Sequence, residues 1–319
     1  SLTLQRKDLV NSVHKTLQVI IVSQGTVGMA ASAFIVAVGY TDWAKRKKLP
    51  TCDVILVCLC SSRLLLQGTI LHSALLPKMY QWEVIRVHYV LLVLASTACL
   101  WFAACLSMFY CAKISTFTQR YFLLIKLRVV RMVPQILLGS VLVSLISSLP
   151  FIWMDYSVHL CNSTRSFLRN ATFDSPVGTI SYFKGFIMFL TLAVIPLLFF
   201  VLSSTLLIAS LWRHTKEMRH GAADNKDLRT DAHITAIKSL ISFLMLYICS
   251  FVAEMLVGMP SCQARSRWKD YICSLVIAVC PSIHSILLIL LNVRLKLALH
   301  EKRVLCHADT AFHHNPEFC

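Results

Sequence analysis

The chain has 319 residues, of which 57% are hydrophobic and only 14% charged, with a mean hydropathy of +0.68. A soluble domain of that composition would expose too much apolar surface, so its long apolar stretches point to a membrane. The net charge of +16 would suit a nucleic-acid binder, but the charge sits in short stretches between apolar segments, and that removes the reading.

Seven apolar stretches reach the roughly 20 residues that a helix needs to cross a bilayer. They are Thr16–Tyr40, Val54–Leu76, Val87–Cys111, Met132–Met154, Gly185–Trp212, Ile234–Val257 and Tyr271–Leu291. All are too long and unbroken for barrel strands, which alternate over about 10 residues. The expected fold is therefore all-α, a single seven-transmembrane helix bundle over residues 1–319 without repeats or a second domain. The chain opens at Ser1 rather than Met, which leads to the expectation of a trimmed start. Its first apolar run is too long for a signal-peptide core.

The second stretch carries Arg63 in "CSSRLLLQ". A mid-span Arg costs about 2.5–3.5 kcal/mol on insertion scales, so Arg63 needs partners inside the bundle. Pro196 should kink the fifth span. That span ends in "LLIASLWRHTKEMRH", where apolar sequence turns abruptly basic. At 100° per residue, Leu211, Trp212, Thr215 and Met218 share one face, and Arg213, Lys216, Glu217 and His220 another. The helix is expected to run on beyond the membrane.

In the sixth span Lys238 lies near one end, within reach of the headgroups. Glu254 lies about one turn from the other end, and two readings stay open for it: its carboxylate snorkels to the interface, or it faces a ligand cavity and attracts amines or hydroxyls. In the seventh span Pro281 precedes His284 by three residues. His284 and Ser285 are suited to hydrogen bonds across helices. Arg63, His284 and Asn292 are expected to form one polar network on the inner half of the bundle, able to switch between two packings. The stretch "RLKLALHEKRVLC" that follows reads as an interfacial helix, with Cys306 a candidate palmitoylation site.

Orientation follows from Lys and Arg in the connecting segments. With the N-terminus outside, segments 41–53, 112–131, 213–238 and 292–319 are cytoplasmic and hold 19 of the 31 Lys and Arg. The outside segments hold 11. The chain's two N-x-S/T acceptors, Asn162 and Asn170, both fall in 155–184, the long extracellular loop of this arrangement, where glycosylation requires them. Residues 292–319 form the cytoplasmic tail. Most of the 13 Cys lie in apolar runs and read as small hydrophobes. Cys161 and Cys262 fall in outside loops as a candidate pair. No cysteine spacing indicates a metal site, and no cofactor is expected.

GxSxG, HExxH and P-loop motifs are absent, so no enzyme is expected. An odd number of spans and only 9 Gly argue against a transporter built from matched broken helices. A seven-helix chain with a short outside N-terminus and basic inner loops reads, by fold analogy, as a signalling receptor.

Several stretches resemble one family, the type 2 (bitter) taste receptors among the G-protein-coupled receptors. They are "FIVAVGYTDWAKRKK", "CSSRLLL", "LWFAACLSMFYCAKI", "SLWRHTKEM", "DAHITAIKSLISFLMLY" and "PSIHSILLILLNVRLK", and the match runs from about Phe34 to Lys296. The rhodopsin-like Asp-Arg-Tyr, Trp-x-Pro and Asn-Pro-x-x-Tyr motifs are missing, as they are in that family. Departures occur at Ser32, where the family often has Asn, and at Gln67, where it often has Trp. In the third span Leu92 and Ser96 stand where the family commonly places a ligand-contacting Trp and Asn.

The resemblance implies a plasma-membrane receptor for small bitter compounds. Ligand positions would be Leu92, Ser96, Met188, Leu192, Glu254 and Ser274. A gustducin-like or inhibitory-type heterotrimeric G protein would meet the basic inner surface of Lys113, Arg128, Arg213, His214, Lys216, Lys238 and Lys296. Membrane lipid is the remaining partner, and nucleic acid is not one. The alternatives are a vomeronasal-type pheromone receptor and, from another class, an ion- or proton-coupled membrane protein.

Overall fold

The computed structural model describes residues 2–75, 82–114, 120–152, 176–220, 227–258, 267–292 and 294–301. Among these, regular structure is entirely helical: α1 (Leu2–Arg46), α2 (Thr51–Leu75), α3 (Trp82–Ile114), α4 (Arg120–Ser148), α5 (Pro176–His220), α6 (Asp227–Gly258), α7 (Arg267–Leu291) and α8 (residues 294–301). Seven of them are long and apolar enough to cross a membrane. The predicted spans fall within α1 to α7, except that the fourth runs past α4 through Leu149–Ile152 and that Leu76 and Trp153–Met154 lie outside the described residues.

Several helices outrun their apolar stretches, α1 before Thr16, α4 before Met132 and α5 before Gly185. Hydropathy marks the part that lipid must surround, whereas helical hydrogen bonds close within the segment and continue into polar sequence. At its other end α4 passes into a 3-10 turn, Leu149–Ile152, which contains Pro150. The α1–α2 junction has its own stop and start. Lys47 takes φ 56°, and its N–H donates to the Trp43 carbonyl at 2.8 Å, a left-handed cap that ends α1. The Pro50 carbonyl then accepts from Asp53 N–H at 2.9 Å, and Asp53 places an acid in the first turn of α2.

Helix α3 is the axis. It packs on α2, α4 and α5, while α1–α2, α1–α7, α6–α7 and α5–α6 contacts close the ring around it. Just over half of its membrane segment is buried, 56%, against 11% for α6. Among the described residues no Cα of α6 or α7 comes within 8 Å of one in α3, so the bundle is open along that line.

Lipid is as apolar as the helix faces, so packing in a membrane relies on close fit and on hydrogen bonds between helices. Small hydroxyls supply them. Ser107 of α3 meets Ser203 and Ser204 of α5, each at 2.8 Å. Ser147 of α4 donates to Thr97 of α3 at 3.3 Å, and Ser32 of α1 meets Ser285 of α7 at 3.0 Å.

Candidate functional site

Two features stand out: a cavity in the gap beside α3, and an exposed basic face at one end of the bundle. The cavity has a volume of about 60 Å³ and is lined by Arg63 of α2, Cys99, Leu100 and Ala103 of α3, Phe200 of α5, Tyr247, Ser250 and Glu254 of α6, and Cys280 and His284 of α7. That volume is well below the roughly 300–1,000 Å³ of a drug-sized pocket.

Its floor is polar. Arg63 is buried, and its guanidinium donates to Nδ1 of His284 and, at 3.1 Å, to Oγ of Ser285. A guanidinium only donates, so His284 accepts through Nδ1 and carries its proton on Nε2. The His284 ring also stands edge-on to Phe243 of α6, with centroids 4.1 Å apart. One further node ties α1, α2 and α7 together. Gln67 Nε2 donates to Ser282 Oγ at 3.0 Å, and Ser282 shares its proton between the carbonyls of Gln24, at 3.1 Å, and Ala278, at 3.0 Å.

Arg63 and His284 therefore meet, but Asn292 does not join them. Its Oδ1 accepts from the backbone N–H of Arg294 at 3.1 Å and of Leu295 at 3.4 Å, so it caps α8. The first residue described in that helix, Arg294, pairs with Asp42 at the end of α1 and Asp53 at the start of α2. Sequence reading had no role for Arg294. The available signal was that Asp42 and Asp53 are the two acids flanking a basic loop.

At the cavity's other end Glu254 is half-buried. Its carboxyl group meets the hydroxyls of Ser96 and Ser250, while its Oε2 is buried with no hydrogen-bond partner among the described residues. Ser96 is buried on α3, so this contact crosses the gap between α3 and α6. Tyr247 crosses it lower down: its hydroxyl donates to the Leu100 carbonyl at 3.3 Å, and its ring stacks on Phe200 at 4.0 Å. Of the six predicted ligand positions, the structure joins Ser96 and Glu254. Leu92, Met188, Leu192 and Ser274 are half-buried at the same end of the bundle and do not line the cavity. Tyr247, Cys99 and Cys280, which do line it, were not singled out, because each sits in an apolar run as one more core-like side chain.

At the opposite end Lys113, Arg213, Lys216, Lys238 and Lys296 are all exposed. The side chains of Arg128 and His214 lie outside the described residues, as do Asn162, Asn170, Cys161, Cys262 and Cys306. Helix α5 continues unbroken to His220, past the end of its apolar run. Its inward face differs from the expected one. Leu211 and Thr215 are buried, but Trp212 is 63% exposed. Trp212 lies one 100° step from Leu211, off the contact line. Nine cysteines among the described residues are free thiols, five of them buried.

Comparison with known proteins places this geometry. The family model described as "Taste receptor protein (TAS2R)" matches residues 9–309. Taste receptor type 2 member 40 of Gallus gallus is 34% identical over 288 residues, covering 87% of this chain and 91% of that protein. Taste receptor type 2 member 2 of Homo sapiens is 32% identical over 284 residues, covering 88% and 92%. The crystal structure of squid rhodopsin superimposes with a TM-score of 0.61 over 92% of this chain and 86% of that one, at 13% identity, a likeness of fold.

Proposed function

Because the chain belongs to the taste receptor family TAS2R, we propose that it detects small organic compounds at the Glu254 end of the bundle and signals through the basic end. Family membership makes it a G-protein-coupled receptor of the bitter-taste class, a multi-pass plasma-membrane protein and not an enzyme. The vomeronasal-type and ion-coupled alternatives are set aside by that membership.

One observation carries the ligand reading. A half-buried carboxyl group with an unpartnered oxygen spans the gap from α6 to Ser96 of α3. A basic nitrogen entering from that end would take the free Oε2 and compete with Ser96 for the carboxylate. Leu92, Met188 and Leu192 would supply apolar walls above it and Ser274 a hydroxyl, in keeping with pockets that are mostly apolar with a few placed polar groups. Loss of the Ser96 contact frees α6, and the ligand's preference for the freed packing shifts the equilibrium toward it.

Lys113, Arg213, Lys216, Lys238 and Lys296, with the extended α5, would then meet a heterotrimeric G protein of the gustducin-like or inhibitory type. In this reading the N-terminus and the glycosylation acceptors Asn162 and Asn170 lie outside, in line with the Lys and Arg distribution.

Glu254→Gln tests the ligand role. A charge-assisted hydrogen bond contributes about 1.5–3 kcal/mol, so calcium-flux potency for amine-bearing agonists should fall roughly ten- to a hundredfold. Neutral agonists should keep theirs. Equal shifts across both agonist classes would remove Glu254 from the ligand site.

A further inference from the structure

Helix α1 ends in a cationic turn. Lys45 and Arg46 close its last turn, Lys47 caps it with φ 56°, and Lys48 follows; all four are exposed. No other stretch of the chain carries four consecutive Lys or Arg. Positive charge at the end of a span is what topology asks of any membrane helix, and scattered single charges satisfy it. Here four charges share a length of chain of at most about 11 Å. The acids that would balance them are engaged elsewhere. Between residues 40 and 53 the only carboxylates are Asp42 and Asp53, and both pair with Arg294 of α8. Among the described residues no ion pair holds Lys45, Arg46, Lys47 or Lys48.

Aromatic side chains set the depth of this turn. Tyr40 and Trp43 are 66% and 48% exposed, and their ring centroids lie 5.9 Å apart on one face of α1. Exposed Tyr and Trp at the end of a span sit at headgroup level. Lys47 Nζ lies over the Trp43 ring, 5.9 Å from its centroid, so its ammonium is held on the same face. A left-handed cap is usually glycine, which has no Cβ to strain. Lys47 keeps a cation at a position where glycine would make the easier cap.

We propose that Lys45, Arg46, Lys47 and Lys48 bind the polyphosphorylated headgroup of an inositol lipid, with Tyr40 and Trp43 against its glycerol and upper chains. Monovalent lipids would have to be gathered one by one, each at an ordering cost, whereas a bisphosphate headgroup brings its charges together on one molecule. Arg46 can hold a phosphate through two parallel N–H bonds, and the lysines act on it as point charges. The site is separate from the central cavity. It depends neither on the signalling reading nor on which side of the membrane this end faces.

The test uses the full-length receptor in phosphatidylcholine nanodiscs that carry phosphatidylinositol bisphosphate, with phosphatidylserine at equal total charge as control. Bound lipid is counted by native mass spectrometry. The bisphosphate lipid should be retained about tenfold more than phosphatidylserine, since each basic residue near an anionic surface contributes roughly fivefold to binding. Lys47→Gly should cut retention about fivefold while the melting temperature holds or rises, because glycine suits the left-handed cap. The variant Lys45→Gln/Arg46→Gln/Lys47→Gln/Lys48→Gln should bring retention down to the phosphatidylserine level. Lys216→Gln/Lys238→Gln removes two exposed cations from α5 and α6, which do not touch α1, and should leave retention unchanged. Equal retention of the two lipids, full retention by Lys47→Gly, or an equal loss in the α5 and α6 control would reduce the turn to a plain membrane anchor and overturn the proposal. Complete displacement of the lipid by an equal concentration of soluble inositol trisphosphate would assign the turn to a free phosphate and overturn it as well.

Discussion

Replacing Gly28 by alanine should destabilise the receptor, although alanine is the better helix former. Gly28 lies where α1 presses on the node formed by Gln67 and Ser282. An added Cβ would stand 2.7 Å from Ser282 Cβ and closer still to Ser282 Oγ and Gln67 Nε2. Ser282 has little freedom to turn away, since its hydroxyl accepts from Gln67 and donates to carbonyls of α1 and α7. Forcing a methyl group into such packing costs about 1–3 kcal/mol. Losing the Gln67–Ser282 hydrogen bond adds about 1 kcal/mol. Better helix propensity returns about 1 kcal/mol. The net is a destabilisation of about 1–3 kcal/mol.

Gly25→Ala, one turn earlier, is the internal control. Nothing lies within 4 Å of its Cβ, so the propensity gain stands alone and the variant should melt at or above the parent temperature. The buried thiols of Cys60, Cys105, Cys273 and Cys280 provide the assay, because a thiol-reactive dye reports their exposure as the detergent-purified receptor is heated. The double variant Gly28→Ala/Ser282→Gly removes both Ser282 atoms from the clash and leaves Gln67 Nε2, the end of a flexible side chain, to give way. It should lose less than the sum of its singles, by a coupling of roughly 0.5–3 kcal/mol. Gly28→Ala melting level with Gly25→Ala would refute the close-approach reasoning.

Three more outcomes follow from the same geometry. His284→Ala leaves the buried Arg63 short of an acceptor at a cost of about 1–3 kcal/mol, to be read as lower surface expression and an earlier melt. Arg294→Gln breaks the tie from α8 to Asp42 and Asp53. With side chains 34%, 20% and 17% exposed the pair is partly screened, so the stability change should stay near 1 kcal/mol or below, while hydrogen exchange over residues 294–301 speeds up. Tyr247→Phe keeps the stack on Phe200 but removes the hydrogen bond to Leu100, about 1 kcal/mol. Ligand-free signalling should rise, and an unchanged basal level would count against Tyr247 as a restraint on α6.

The seven spans were legible because each must satisfy lipid over its whole length, a demand that composition alone expresses. Arg63 was legible for a related reason: a charge in an apolar run is costly enough to require a partner, and His284 and Ser285 were the polar groups on offer. Asn292 was misassigned because a polar residue at a helix end has two uses, and Asp42, Asp53 and Arg294 are brought together only by the packing of α1, α2 and α8. The cavity's chemistry was half legible. Glu254 announced itself by charge, but Tyr247, Cys99 and Cys280 differ from their core neighbours only in which way they face.

The distribution of hydrogen bonds also decides which helix yields when the cavity is enlarged. At about 60 Å³ it cannot hold an organic ligand as it stands, so occupancy must move a wall. On one side α1, α2 and α7 are joined through Ser32–Ser285, Arg63–Ser285, Arg63–His284, Gln67–Ser282 and Ser282–Gln24. At about 1 kcal/mol each, opening that wall costs about 5 kcal/mol before any packing is lost. Among the described residues, the hydrogen bonds that join α6 to α3 are Glu254–Ser96 and Tyr247–Leu100, and a cationic ligand would replace the first of these itself. The α6 segment is also the least buried of the seven, at 11%. A ligand that forces the cavity open therefore moves α6, the helix that carries Lys238 on the basic face at its far end.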